Sequence, residues 1–241
     1  VSTPYYQDDL VTLWHGDLRE HTSWLTAKVL FTDPPYGRAW RQGGGKPRPG
    51  LSVHDALGRA HPGIDGDTDT HIRDTILAMW GTTRPAAIFG DLLIDRPPGT
   101  KQALIYGKPL DAGKRGTFAG FARDAEAIWL IGPWPAGIGG QTSILHTRAR
   151  VVGTPYGLAA RYGHPHAKPI DVCETIIEHI PPELTGPIAD PAAGSGSILV
   201  AARNLGHPAI GVELEERYCQ RAAERLSVPL LIDGPIGDTT A

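Results

Sequence analysis

Short apolar runs alternate with helical stripes along most of this chain. Leu10–Trp14, Lys28–Thr32, Ala86–Phe89, Ala103–Tyr106, Ala125–Ile131 and Ser143–Val152 are runs of strand length. Ile72, Thr75, Ile76, Met79 and Trp80 recur at helical spacing, as do Ile170, Cys173, Ile176, Ile177 and Ile180. Ile198–Leu205 and Arg217–Leu226 read as two more helices, Ala209–Val212 as a strand between them, and Pro229–Ile232 as a last strand. Strands interleaved with helices over 241 residues predict a single α/β domain spanning 1–241, without internal repeats. The stretch 37–69, rich in Gly and Pro, predicts a long mobile loop, and the last few residues a disordered tail.

Two loops carry the candidate chemistry. The first, Asp33-Pro34-Pro35-Tyr36, follows the apolar Val29-Leu30-Phe31. Consecutive prolines remove two backbone donors, so the carbonyls of Asp33 and Pro34 need not join a sheet ladder and can accept hydrogen bonds from a ligand. Asp33 adds a carboxylate and Tyr36 a ring, a combination suited to a flat ring bearing an amino group. The second loop is Asp190-Pro191-Ala192-Ala193-Gly194-Ser195-Gly196-Ser197, with a strand before it and a helix after it. Gly194 and Gly196 permit positive φ and close backbone approach, and the loop aims its amides at a helix N-terminus, as nucleotide sites require. Glu213 ends the next strand, 23 residues beyond Asp190, near the ~20-residue offset at which dinucleotide-binding units place an acid on ribose hydroxyls.

Together these loops resemble the amino-methyltransferases that modify exocyclic amines of nucleic-acid bases with S-adenosylmethionine. His164-Pro165-His166-Ala167-Lys168-Pro169 resembles that family's Lys-Pro motif, and Gly16-Asp17, after the first strand, resembles its acid for the adenine ring of the donor. The order, catalytic loop before glycine loop, is similar to the permuted beta class of DNA methyltransferases, of the short phage or prophage type, some of which accompany restriction enzymes. The resemblance implies a Rossmann-like fold: a mostly parallel seven-stranded sheet with helices on both faces and a circularly permuted motif order. It implies a catalytic group of Asp33, Pro34, Pro35 and Tyr36, with Tyr36 stacking on a flipped base. It implies an S-adenosylmethionine site of Asp17, Lys168, Pro169, Asp190, Pro191, Ala192, Gly194, Ser195, Gly196, Ser197 and Glu213. Two departures stand out. Ala192 replaces a frequent aromatic residue, and the interval available for target recognition, about 133–163, is short.

The net charge of −3 looks unsuited to a nucleic-acid partner until it is divided along the chain. Residues 38–168 hold 17 Lys/Arg against 10 Asp/Glu, and the remainder 6 against 16. Arg38, Arg41, Lys46, Arg48, Lys108, Lys114, Arg115, Arg148 and Arg150 are therefore the candidate phosphate contacts, with Arg161 nearby. Duplex DNA is the expected partner, and a homodimer is compatible with the sequence.

Cys173 and Cys219 lie in helical patterns without a CxxC and are expected to be buried free thiols. His164, His166 and Cys173 match no common zinc spacing, so no metal is expected. No apolar stretch approaches the ~20 residues of a membrane span and no charged-then-apolar leader is present, so a cytoplasmic protein of a bacterium or phage-infected cell is expected. N6-methylation of adenine in DNA is the expected reaction, since Asp rather than Ser opens the first loop. N4-methylation of cytosine is the nearest alternative, and a non-catalytic DNA-binding decoy is the alternative of another class. A cytosine-C5 reaction would need an activated cysteine in a Pro-Cys loop, and neither cysteine follows a proline.

Overall fold

The computed structural model describes residues 3–39, 66–108, 120–121, 123–134, 142–147 and 167–228. Nine strands form one sheet: β1 (Tyr6–Gln7), β2 (Val11–His15), β3 (Val29–Thr32), β4 (Ala86–Gly90), β5 (Thr100–Gly107), β6 (Ala125–Ile131), β7 (Ile144–His146), β8 (Ile188–Asp190) and β9 (Ala209–Glu213). Their order across the sheet is β1-β2-β9-β8-β3-β4-β6-β5-β7. Where seven strands were expected, the described residues form nine. The two-residue β1 adds an antiparallel edge beside β2 that is too short to leave a periodic signal, and β7 closes the opposite edge beside β5. The sheet is mostly parallel, with β6 running antiparallel to both β4 and β5.

Among the described residues, four α-helices flank the sheet: α1 (His71–Trp80), α2 (Ile170–Glu178), α3 (Ser197–Asn204) and α4 (Glu216–Leu226). Alternation of strand side chains splits the interior into two cores. On one face Val11, Leu13, Val29, Phe31 and Phe89 pack with Cys173 and Ile177 of α2, Ile198 and Leu199 of α3, and Cys219 and Leu226 of α4. On the other, Leu30, Ile88, Ala189 and Val212 pack with Ile76, Leu77 and Trp80 of α1 and with Trp24 of a 3-10 turn, Thr22–Thr26. Helices therefore cover both faces, as expected. Both cysteines are buried free thiols. Strand β3 is buried along its whole length, which is why it reads as a continuous apolar run rather than an alternating one. No helix among the described residues is long and apolar enough to cross a membrane.

The topology carries the site. β2, β9, β8, β3 and β4 run parallel, so their carboxyl ends lie along one edge. Antiparallel β6 brings its first residues to that same edge, with Ala127 opposite Gly90, and β5 ends there with Gly107 opposite Ala125. At the far edge of the sheet, Gly132 holds the turn after β6 at φ +77°, where a Cβ would lie 2.2 Å from the Arg84 carbonyl oxygen. The substitution Gly132→Ala is expected to lower stability by at least about 1–2 kcal/mol, seen as a lower urea midpoint at unchanged slope.

Candidate active site

β8 pairs in parallel with β3, Val29 opposite Ile188 and Leu30 opposite Ala189, and this sets the two sequence motifs side by side. The last residue of β3, Thr32, donates its hydroxyl to Asp190 Oδ1 at 2.7 Å. Asp190 is buried, and burial, only partly offset by Thr32 and the Ala192 amide, pushes its carboxyl up to about 8. Beyond it the chain turns through Gly194 (φ +52°) and Gly196 (φ +75°) into α3, the positive φ expected of both glycines. At Gly196 a Cβ would stand 2.8 Å from the Cβ of Ala222, so only glycine lets the α3 N-terminus sit against α4. From α4, Arg225 reaches under this loop and donates to the Ser195 carbonyl at 2.5 Å, Ser195 Oγ at 3.1 Å and Ser197 Oγ at 3.2 Å.

Glu213 ends β9 beside this loop. Its two oxygens accept the backbone amides of Gly194 (2.7 Å) and Glu215 (2.8 Å), while burial raises its pKa. Each oxygen keeps a further lone pair for a hydroxyl donor. The neighbouring turn is tied on by the Gly16 amide, which donates to the Glu213 carbonyl at 2.9 Å. Asp17, in that turn, is bound by the Arg19 side chain, which holds its carboxyl down at about 2. The expected donor residues Asp17, Asp190, Pro191, Ala192, Gly194, Ser195, Gly196, Ser197 and Glu213 thus fall on three adjacent strand ends.

Pro169, also expected with them, caps α2, and the ammonium of Lys168 is turned to Asp33. Lys168, just before α2, is buried and forms ion pairs with Asp33 Oδ2 (2.9 Å) and Glu126 Oε2 (3.2 Å). The Tyr36 hydroxyl donates to Asp33 Oδ1 at 2.9 Å and stands 3.3 Å from Glu126 Oε2. Lys108, at the end of β5, reaches Glu126 Oε1 at 2.5 Å. Four side chains therefore close a ring, Asp33 to Tyr36 to Glu126 to Lys168 and back to Asp33. Two carboxylates face two ammonium groups, so the cluster balances in charge.

Electrostatics follow this geometry. Burial raises the Asp33 carboxyl, Lys168 opposes that rise and Glu126 reinforces it. Burial would also raise Glu126, but Lys168 and Lys108 prevail and hold it at about 2. Burial would discharge Lys168, yet Asp33 and Glu126 keep it protonated well above its ordinary range. Burial beside two carboxylates drives the Tyr36 hydroxyl far up, so it remains a donor.

Glu126, Lys108, Thr32 and Arg225 are the members that the reading of the sequence did not place in the site. A signal existed for Glu126: it is the one charged residue in the apolar run Ala125–Ile131, and a charge inside a buried strand needs a partner. Of the candidate phosphate contacts, Arg38 is paired with Asp91 and Lys108 with Glu126. Arg41, Lys46, Arg48, Lys114, Arg115, Arg148, Arg150 and Arg161 lie outside the described residues, as do His164, His166, most of the loop 37–69 and most of the segment 133–163.

Residues 118–224 match the family model described as DNA methylase, a stretch that contains Glu126, Lys168, the glycine loop and Glu213. That stretch, 107 of the chain's 241 residues, is similar to the DNA methylase family. Asp33 and Tyr36 precede the matched stretch and are joined to it by the pairing of β3 with β8 and by their contacts with Lys168 and Glu126. Among solved structures, the chain is similar to M1.HpyAVI in its SAM complex: identity is 18%, 90% of this chain and 100% of that one are covered, and the TM-score is 0.55. It is also similar to the PvuII DNA methyltransferase, described as cytosine-N4-specific, at 12% identity, 93% and 89% coverage and a TM-score of 0.60. At such identities the likeness is one of fold. No curated protein sequence matches the chain.

Proposed function

We propose that this protein is an S-adenosylmethionine-dependent DNA methyltransferase that modifies the N6 amine of adenine in duplex DNA by direct attack of a flipped-out base. One observation carries the reading: the Asp33 carboxylate and the Asp190–Ser197 loop occupy adjacent strand ends, linked by the Thr32–Asp190 hydrogen bond.

The loop side fits the donor by its chemistry. Glu213 can accept ribose hydroxyls, and buried Asp190, held by the Thr32 hydroxyl, has no cationic partner among the described residues, a charge that an ammonium would supply. Ser195, Ser197 and the first amides of α3 offer donors to a carboxylate. Bound there, S-adenosylmethionine supplies an electrophilic methyl group.

The acceptor side is built for an aromatic amine. Such an amine is a poor nucleophile because its lone pair is delocalised into the ring. Hydrogen bonds from its two hydrogens to Asp33 and to the Pro34 carbonyl draw the nitrogen toward a pyramidal geometry. Asp33 then stands where positive charge develops. Its own hydrogen bonds from Lys168 and Tyr36 fix its orientation, and water takes the proton after transfer. Tyr36 is the proposed stacking platform for the extruded base.

Asp at the head of the first loop favours adenine. The second reading, N4 of cytosine, uses the same amine geometry. The order of the motifs, with Asp33 ahead of the glycine loop although their strands are neighbours, supports assignment to the permuted class. Residues 133–163 are proposed as the target-recognition segment and 37–69 as a DNA-contacting loop, all within one catalytic domain.

Nucleoside mass spectrometry of DNA incubated with protein and labelled donor tests the reaction. N6-methyladenine is expected; N4-methylcytosine would overturn the choice of base, and no labelled nucleoside would overturn the function. For the donor site, Glu213→Ala is expected to weaken S-adenosylmethionine binding by about 1.5–3 kcal/mol, measured by calorimetry on the folded variant.

A further inference from the structure

We propose that Glu126 is a positioning residue of the methyl-transfer site, acting through Lys168 and Tyr36 to set the orientation and basicity of Asp33. The inference rests on the amine-methylation reading of the site and extends it to a residue outside both loops. Glu126 reaches neither motif by sequence, yet it completes the ring of hydrogen bonds around Asp33. Its Oε2 faces both the Lys168 ammonium, at 3.2 Å, and the Tyr36 hydroxyl, at 3.3 Å, the two groups that bind the two oxygens of Asp33 at 2.9 Å each. Nearly buried at the start of β6, its side chain is only 8% exposed, with Lys108 as its outward partner.

Charge sharing is the physical reason. If Asp33 alone neutralised Lys168, the ammonium would draw its electron density fully and weaken it as an acceptor for the base amine. With Glu126 opposite, Lys168 divides its charge between two carboxylates, and Asp33 keeps acceptor strength while staying fixed at both oxygens. Lys108 tunes the balance from outside by neutralising part of Glu126. Among the described residues, the other groups facing Asp33 are Asp190 on β8 and the Cys173 thiol on α2, both buried.

Opposite charge changes should therefore move Asp33 in opposite directions. Removing the negative charge with Glu126→Gln should lower the Asp33 pKa and shift the acid limb of the single-turnover rate to lower pH. Removing the positive charge with Lys108→Met strengthens the field of Glu126 and should shift that limb to higher pH. Two readouts are taken on each variant: the carboxyl carbon resonance of Asp33 followed by NMR against pH, and single-turnover methylation of DNA at saturating donor. The expected result is the pair of opposed titration shifts, with a rate loss of about a hundredfold in Glu126→Gln and unchanged affinity for S-adenosylmethionine. A folded Glu126→Gln protein with an unmoved Asp33 titration overturns the proposal. If that variant does not fold, an unmoved titration in Lys108→Met overturns it equally. Because the NMR titration needs no turnover, failure of this inference is separable from failure of the reaction, which the wild-type assay reports alone.

Discussion

Asp33→Ala is expected to abolish detectable methylation of DNA while leaving S-adenosylmethionine binding intact. The carboxylate lies outside the donor loop, to which β3 is joined by its pairing with β8 and by the Thr32–Asp190 hydrogen bond, so its loss should not disturb Glu213 or Gly194. In the proposed mechanism it stands against the amine whose charge changes most as the bond forms. Removing one such preorganised contact costs on the order of 10²–10³ in rate, and the amine also loses one of its two fixed acceptors. The fold should survive, because Lys168 retains Glu126 as a partner. Labelled-donor incorporation and calorimetry on the same preparation give the two halves of the result. Full activity in the folded variant would remove Asp33 from the chemistry.

Lys168→Met is expected to produce the largest loss of stability, about 3–5 kcal/mol. The substitution removes the ammonium and leaves Asp33 and Glu126 facing each other in a buried site with Lys108 alone to balance them. The pH dependence follows with a definite sign. In the wild-type protein Glu126 is held at about 2, below its ordinary 4.5, so it contributes stability above 4.5 that is lost as pH falls toward 2. Without Lys168 the folded pKa values of both carboxylates rise, and a carboxylate raised on folding costs stability above its unfolded value and nothing below it. The deficit of the variant should therefore be greatest at neutral pH and shrink as pH falls below about 4. Urea titrations at several pH values measure it, and a deficit independent of pH would show that Lys168 acts by packing of its stem.

Much of the fold was legible because its signals are local. β3, β4 and β6 are apolar runs that match their expected extents closely, and α1 and α2 follow the stripes of Ile72 to Trp80 and Ile170 to Ile180. Strand β1 was not legible, since two residues cannot display a period and its existence depends on β2 being there to pair with. Within the site, the glycine loop was read with its positive φ values, because the backbone conformation of Gly194 and Gly196 is a property of the residue itself. Lys168 was found by its motif and placed with the donor residues, whereas the structure directs its ammonium to Asp33 and Glu126.

The sequence by itself determined the parts: two prolines that free the carbonyls beside Asp33, a glycine loop between strand and helix, and an acid at the end of the following strand. Those are matters of backbone stereochemistry and of which atoms each side chain carries. Only the tertiary structure decided their company. Tyr36 and Glu126 are 90 residues apart and meet because β6 runs antiparallel to β4, which returns its charged first turn to the edge where the parallel strands end. A buried charge is tolerated only where opposite charges converge on it, and that convergence is a property of strand order.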